Sequence, residues 1–455
     1  MNNLWKDFDS VSAKQWKQKI QVDLKGADYN DTLVWQSLEG INVKPFYHQD
    51  DFENSFNPIP GQPSNWNIAQ SIYVDDEVIV NGIALNAIDK GAEAIIIIAE
   101  ELFDIPAVFK NFPFDKVAIY CKFSFLSQEF YNELIAFFSE KKATIYYGID
   151  LIGNLTKDGN WFHSLEKDHQ ILENLVQNSS VINSIGVNTA TYQNAGANCV
   201  QQLAYGIAHA NEYLNHFSET NKEINFTFTV SVGSNYFFEI AKIRALRLLH
   251  ATIADLYKCN VNCHILAVPS KRNKTLYDYN VNMLRTTTEC MSAVLGGADT
   301  VANLPYDAIY HKSNKFGERI SRNQLLILKA ESYFDTVSNA SDGSYYIEAL
   351  TQELAEKALT LFKDIERNGG FLSQLKEGTI QKKIKESAQK EQSLFDEGKL
   401  KLLGTNLQPN LEDKMKENLE LYPFVKTKPR KTLLEPIIEK RLSENLEKER
   451  LENEK

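Results

Sequence analysis

Cysteine is scarce here, five in 455 residues, which is too few for a disulfide framework or a zinc-rich pattern. There is no basic excess either. The net charge is −11 and the pI about 5.4, so the chain lacks the basic face that phosphate backbones require, and no nucleic-acid partner is expected. No apolar run reaches the ~18 residues of a membrane span, so no membrane partner is expected. The opening Met1-Asn2-Asn3-Leu4-Trp5-Lys6-Asp7 carries charge early and no apolar stretch, which argues against a signal peptide and for a cytoplasmic protein. Gly-x-Gly-x-x-Gly and P-loop patterns are both missing, which removes the common nucleotide-binding signatures.

What remains is an ordinary globular composition, 43% hydrophobic and 24% charged. The length suits a barrel of about 250 residues with extensions. Residues 1–75 read as an N-terminal arm and linker. Trp5, Trp16, Trp35 and Trp66 lie there, and Asn57-Pro58-Ile59-Pro60-Gly61-Gln62-Pro63 is an extended, proline-rich stretch. Disordered segments are poor in aromatics, so the arm is expected to pack on its own barrel or on a partner.

Residues 76–370 alternate short β-rich runs with helical patterns. The strand candidates are Ala94–Ala99, Val117–Cys121, Thr144–Ile149, Val181–Val187, Phe226–Val232, Cys263–Val268, Asp299–Asn303 and Tyr333–Val337. Amphipathic stretches such as Gln128–Glu140, Gly196–His216, Tyr236–Ile253, Leu284–Val294 and Glu318–Lys329 separate them. Eight such repeats predict an α/β fold, a closed (β/α)8 TIM barrel, over an open doubly wound sheet. From 371 to 455 the strand signal stops and a C-terminal helical extension is expected. Its Lys431–Lys455 segment, with interspersed charges, reads as a solvated helix face or a partner-docking element.

Few side chains suggest chemistry. Cys259-x-x-x-Cys263-His264 has metal-like residue types, but a strand sends Cys263 and His264 to opposite faces, and no second pair supports a site. No metal is expected. His209 and His216, seven apart on a helix, read as surface or helix-end residues. Glu239, Lys242, Arg244 and Arg247 crowd one helix and read as local ion pairs. Asp342-Gly343-Ser344-Tyr345-Tyr346 follows the last strand candidate, where a working barrel keeps its active-site loops, although the glycine equally suits a turn. Two strands are apolar on both faces, Ile95-Ile96-Ile97-Ile98 and Ile265-Leu266-Ala267-Val268. That predicts an axis filled with packed side chains rather than a polar channel.

Several stretches together resemble the methylmalonyl-CoA mutase family. They are Asp23-Leu24-Lys25-Gly26, Glu39-Gly40-Ile41-Asn42-Val43-Lys44-Pro45-Phe46-Tyr47, Phe237 through Leu249, Leu284-Arg285-Thr286-Thr287 through Gly297, Arg319-x-x-Arg322-Asn323, Asp342 through Ala358, and Gly404-Thr405-Asn406. In order, they span about residues 16 to 406. The resemblance implies a barrel whose active relatives thread the CoA chain along the axis and place a corrin over it. It also implies departures. The family's Arg-Gln-Tyr after Trp-x-Ile stands here as Ala69-Gln70-Ser71 after Trp66-Asn67-Ile68, so its tyrosine position is Ser71. Its histidine ahead of Gln-x-Ala-Gly-Ala is Thr191, before Gln193-Asn194-Ala195-Gly196-Ala197. Its polar sixth strand is here Ile265–Val268, and its Asp-x-His-x-x-Gly cobalt-ligand loop is absent.

These losses imply a small, non-catalytic subunit with no catalytic, cofactor-binding or metal residue and no cobalamin-binding domain. Adenosylcobalamin is expected on a large catalytic partner in an αβ heterodimer that interconverts succinyl-CoA and (R)-methylmalonyl-CoA. The alternative is an active acyl-CoA mutase barrel that borrows a separate cobalamin-binding subunit. A barrel with unrelated chemistry is the third reading, with no acid/base or nucleophile constellation to support it.

Overall fold

The computed structural model describes residues 9–53, 56–177, 183–218, 225–257, 262–426 and 429–454. Trp5, Cys259 and the first two residues of the Val181–Val187 candidate lie outside them. Eight strands form one parallel sheet: β1 (Asn67–Tyr73), β2 (Ala94–Ala99), β3 (Ala118–Phe123), β4 (Ile145–Tyr146), β5 (Ile185–Asn188), β6 (Phe226–Val232), β7 (Cys263–Pro269) and β8 (Thr300–Ala302). Their order is β4-β3-β2-β1-β8-β7-β6-β5. The two edges then meet. Tyr147 N donates to Asn183 O at 2.9 Å, Ile149 N to Ser184 O at 2.8 Å, and Gly186 N back to Ile149 O at 3.0 Å. This seam joins the two ends of the sheet into a barrel and leaves no bare edge. Glycine is required at the seam. A Cβ on Gly148 (φ +58°) would sit 2.8 Å from Cys121 O, and one on Gly186 would sit 2.8 Å from Gly148 O.

Helices cover the outside, principally α1 (Glu77–Asp89), α2 (Gln128–Ser139), α3 (Leu165–Val176), α4 (Cys199–Phe217), α5 (Tyr236–Leu256), α6 (Val281–Leu295) and α7 (Lys315–Leu326). Their N-termini are capped as their sequences suggest: Asp76 for α1, Ser127 for α2 and an Asn198/Gln201 capping box for α4. Strand residues alternate faithfully. Ile95 and Ile97 of β2 and Ile265 and Ala267 of β7 meet the helices, in the main core. Ala69, Ala94, Ile96, Tyr120, Leu266 and Ala302 form a separate cluster inside the barrel.

Two expectations are corrected. Tyr333–Val337 is not a strand. Tyr333 takes φ 59°, and Tyr333 and Val337 are 72% and 55% exposed; the run has β-type residues without a pleat to bury them. The missing strand is β1, inside the stretch read as arm and linker. It pairs with β8 and β2 through Ala69↔Ala302 and Ser71↔Ile96, so the barrel begins before residue 76. Its outward Gln70 bonds Glu318 and Arg322 of α7, a polar interior that hid it from a hydrophobic-pattern reading. Asp342 likewise follows no strand. It leads into α8 (Tyr345–Arg367), which packs on α4 and α5 outside the barrel, and its carboxylate meets Arg244.

The arm packs on its own chain: the hairpin Trp35–Gln36/Asn42–Val43 sets Trp35 edge-on to Phe238 at 5.7 Å, and Tyr47 stacks on Tyr346 at 5.4 Å. In the extension, α9 (Thr379–Asp396) appears as expected, but Lys431–Lys455 is helical only in α10 (Glu444–Asn453). That segment is no solvated face: Arg441, Ser443, Glu444 and Glu447 are buried. Between residues 430 and 443 the chain runs as a strap across the end of the barrel where the strands point. Ile437 N donates to Thr156 O at 2.8 Å beyond β4, Lys440 N to Asn194 O at 3.0 Å beyond β5, and Leu442 N to Arg272 O at 2.9 Å beyond β7.

Candidate functional site

Barrel sites lie where strands end and loops begin, at the carboxyl face. There the barrel holds a cavity of about 160 Å³, lined by Ser71, Ile96, Ile98, Lys122, Tyr146, Asp150, Asn188, Leu266 and Val268 among others. At ~30 Å³ per molecule this is room for roughly five waters. Its sides follow from strand register. Ile96 and Ile98 are the inner residues of β2, Tyr120 and Lys122 of β3, and Leu266 and Val268 of β7.

Below the cavity, aromatic rings cross the axis. Tyr120 stacks on Tyr146 at 4.5 Å and 7°, and Tyr146 stacks on His264 at 4.2 Å. The Tyr120 hydroxyl closes the set, with His264 Nε2 and Thr300 Oγ1 each at 2.7 Å. Burial disfavours charge on all three rings. It raises Tyr120, pushes Tyr146 up to about 12, and lowers His264 against the opposing pull of Asp299. The result is a neutral, hydrogen-bonded plug. The axis is thus filled, as the two apolar strands predict, but the filling differs from the expectation: aliphatic chains from β2 and β7 form the collar, while the bar across the lumen is aromatic and polar.

Ser71 sits on the inner face of β1, exposed in this mouth. Thr191 is 2% exposed, on the short helix Ala190–Asn194 after β5, with Asn188 Nδ2 at 3.5 Å from its hydroxyl. It does not line the Ser71 cavity. His264 faces the lumen and Cys263 the helices, as strand alternation requires. His209 is misread as a surface residue. It is fully buried, its Nε2 2.9 Å from Asp150 Oδ1 and its Nδ1 3.0 Å from the Tyr192 hydroxyl. His216, exposed in the last turn of α4, is the helix-end surface residue expected, and it pairs with Glu173.

Two features of the mouth escaped the sequence reading. Asp150 caps the helix Leu151–Asp158 and accepts from Gly153 N (2.7 Å), Asn188 N (2.8 Å), His209 and Tyr213 (3.1 Å), which fix its carboxylate in place. Lys122 breaks the apolar run of β3 at an inner-face position, and that interruption was the available signal. Its side chain is solvent-exposed at the mouth. Desolvation, with repulsion from Lys271 and Lys157, pushes its ammonium down to about 8.

The residues present do not fit a corrin cofactor: the strap runs over the carboxyl face where it would lie, and the histidine in the lumen is committed to the plug. Among the described residues no three His, Cys, Asp or Glu side chains are grouped to hold a metal, and no helix is long and apolar enough to cross a membrane.

The profile of the family described as methylmalonyl-CoA mutase matches residues 94–452. The methylmalonyl-CoA mutase small subunit of Porphyromonas gingivalis is 32% identical, over 90% of this chain and 72% of that protein. The small subunit of Streptomyces virginiae is 25% identical, over 83% of this chain and 67% of that one. The methylmalonyl-CoA mutase of Cereibacter sphaeroides is 26% identical; the match covers 86% of this chain but only 63% of that longer protein.

Proposed function

Because the chain belongs to the methylmalonyl-CoA mutase family, we propose that it is the non-catalytic, structural subunit of an adenosylcobalamin-dependent mutase whose large subunit binds the cofactor and interconverts succinyl-CoA and (R)-methylmalonyl-CoA. The observation that carries this reading is the ring stack of Tyr120, Tyr146 and His264 across the lumen. A pantetheine arm threaded along the axis would have to displace three stacked rings and their hydrogen bonds. Its amides would then face Ile96, Ile98 and Leu266, where unpaired polar groups cost several kcal/mol each. Ser71 and Thr191, standing where the family resemblance expects tyrosine and histidine, support the same reading. So does the strap over the carboxyl face. The relatives named small subunits point to a larger partner, and a cytoplasmic αβ heterodimer is the assembly this reading entails.

The test is a turnover assay with succinyl-CoA and adenosylcobalamin. The chain alone, and the chain mixed with an isolated cobalamin-binding protein, should give none. The large subunit should turn over, and adding this chain should raise its stability or yield rather than add a second active site. Turnover by this chain with only a cobalamin-binding protein supplied would overturn the reading in favour of an active barrel that borrows its cofactor domain.

A further inference from the structure

We propose that the mouth of this barrel is a binding site for a short aliphatic monocarboxylate, with the carboxylate on the Lys122 ammonium and the alkyl body on the collar of Ile96, Ile98, Leu266 and Val268. This goes beyond the structural role, because it assigns the chain a small-molecule ligand of its own, independent of which subunit turns over thioester.

Three observations carry it. The first is an uncommitted cation: among the described residues no hydrogen bond or ion pair holds the Lys122 ammonium. Asp150, the acid that lines the cavity, makes no hydrogen bond or ion pair with Lys122; its carboxylate is turned to Gly153, Asn188, His209 and Tyr213. Lys157 and Lys271 add positive potential, and only Glu439 on the strap opposes it. An unpaired ammonium at the rim of an apolar collar, with like-charged neighbours, gains an anion readily through a charge-assisted hydrogen bond.

The second observation is the chemistry of the floor. Beneath Lys122 the inner faces of β2 and β7 present Ile96, Ile98, Leu266 and Val268; deeper in, Tyr120, His264 and Thr300 are paired with one another, and the buried Thr227 hydroxyl on the β6 wall has no partner. One carboxylate therefore suits the site, and a second at the far end of the ligand would be buried with a single hydroxyl and no cation to meet it. An inorganic anion would satisfy the lysine and leave the collar bare. The third is size. The cavity of about 160 Å³ compares with an apolar cavity of ~150 Å³ that accommodates a benzene molecule. A four- or five-carbon acid is of that size, and a coenzyme thioester is not.

The probe is sodium butyrate, titrated calorimetrically into the full chain alone and into its complex with the large subunit, with sodium succinate, butyramide and sodium phosphate in parallel. Butyrate should saturate at about millimolar concentration, as a ligand of six non-hydrogen atoms allows. Succinate, butyramide and phosphate should each bind at least about tenfold more weakly. Lys122→Met should lose butyrate binding at an unchanged melting temperature, and Lys122→Arg should keep most of it. Val268→Phe, which fills the collar and leaves the charge, should also lose it, and it carries the test alone if Lys122→Met fails to fold. No saturation by butyrate, equal binding to Lys122→Met or Val268→Phe, or phosphate binding as tight as butyrate would each overturn the assignment. None of these outcomes bears on the turnover assay above, so the two readings fail separately.

Discussion

The lumen of this barrel and the seams around it treat charge in opposite ways. Inside, Tyr120, His264 and Thr300 are polar but kept neutral, hydrogen-bonded through the Tyr120 hydroxyl, with Tyr146 stacked between the rings. Outside, full charges are buried in pairs where one segment of chain meets another. Lys274 and Glu289, each 1% exposed, join the β7 loop to α6. Arg244 of α5 meets Asp342 and Glu348 at the start of α8. Arg247 ties the linker through Gly61 O at 2.6 Å and the barrel through Asp299 at 2.6 Å. Arg441 and Glu447 pin the extension over the β7 loop, with Glu447 accepting from Leu276 N at 2.8 Å. Charge is costly to bury and precise in what it pairs with. It is spent here on fixing the arm, barrel and extension relative to one another, and the ring layer that bars the axis goes without.

If the seams depend on paired charge, breaking one pair should be the largest effect. Lys274→Met leaves Glu289 buried without its cation, and the expected loss is about 3–5 kcal/mol in urea unfolding. Replacing both, as Lys274→Met with Glu289→Leu, should recover most of that loss. A double variant as unstable as the single one would show that the pair itself, rather than the orphaned charge, carries the stability.

Acid should then separate a buried neutral base from these pairs. His250 lies under β6 against Phe226 and Phe228, 3% exposed, and burial lowers it to about 4, with Arg247 adding to the shift. Its unfolded value is about 6.5, so below that pH the unfolded chain binds a proton the folded chain refuses. Stability is therefore complete above about pH 6.5 and falls as the pH drops toward 4, by about 3 kcal/mol in total. His250→Leu should flatten that part of the unfolding profile. An unchanged slope would assign the acid sensitivity elsewhere.

The plug predicts a smaller change. Tyr120→Phe keeps the ring stack and removes the hydroxyl that satisfies His264 and Thr300, for an expected cost of about 1–3 kcal/mol. The contrast in size with Lys274→Met is the contrast between a neutral and a charged buried partner.

Which of these features the sequence disclosed follows from their physics. Long strands with apolar outer faces, such as Ala94–Ala99, Phe226–Val232 and Cys263–Val268, are legible because alternation and composition agree. β1 was hidden because Gln70 and Ser71 make it look like a loop, and Tyr333–Val337 intruded because residue type carries no information about burial. The filled axis was legible from two strands. The rings that bar it were not, since Tyr120, Tyr146 and His264 are 144 residues apart at the extremes and meet only when the barrel closes. His209 was misplaced for the same reason, its partner Asp150 being 59 residues away. The buried pairs of the extension were also illegible, because a run of alternating charge looks identical whether water or protein covers it.

The smallest expected effect probes the lumen most directly. Ser71 is exposed in the mouth, so Ser71→Tyr places an aromatic hydroxyl at the family position without disturbing a packed neighbour, and stability should change by no more than about 0.5 kcal/mol. Turnover with succinyl-CoA, adenosylcobalamin and a cobalamin-binding protein should stay at zero. A tyrosine at the rim can contact a substrate only if the substrate arrives, and the three rings below Ser71 still bar the axis. If Ser71→Tyr alone produced mutase activity, the barrier would lie in one missing contact rather than in the closed lumen, and the distinction drawn between neutral interior and charged seams would lose its functional meaning.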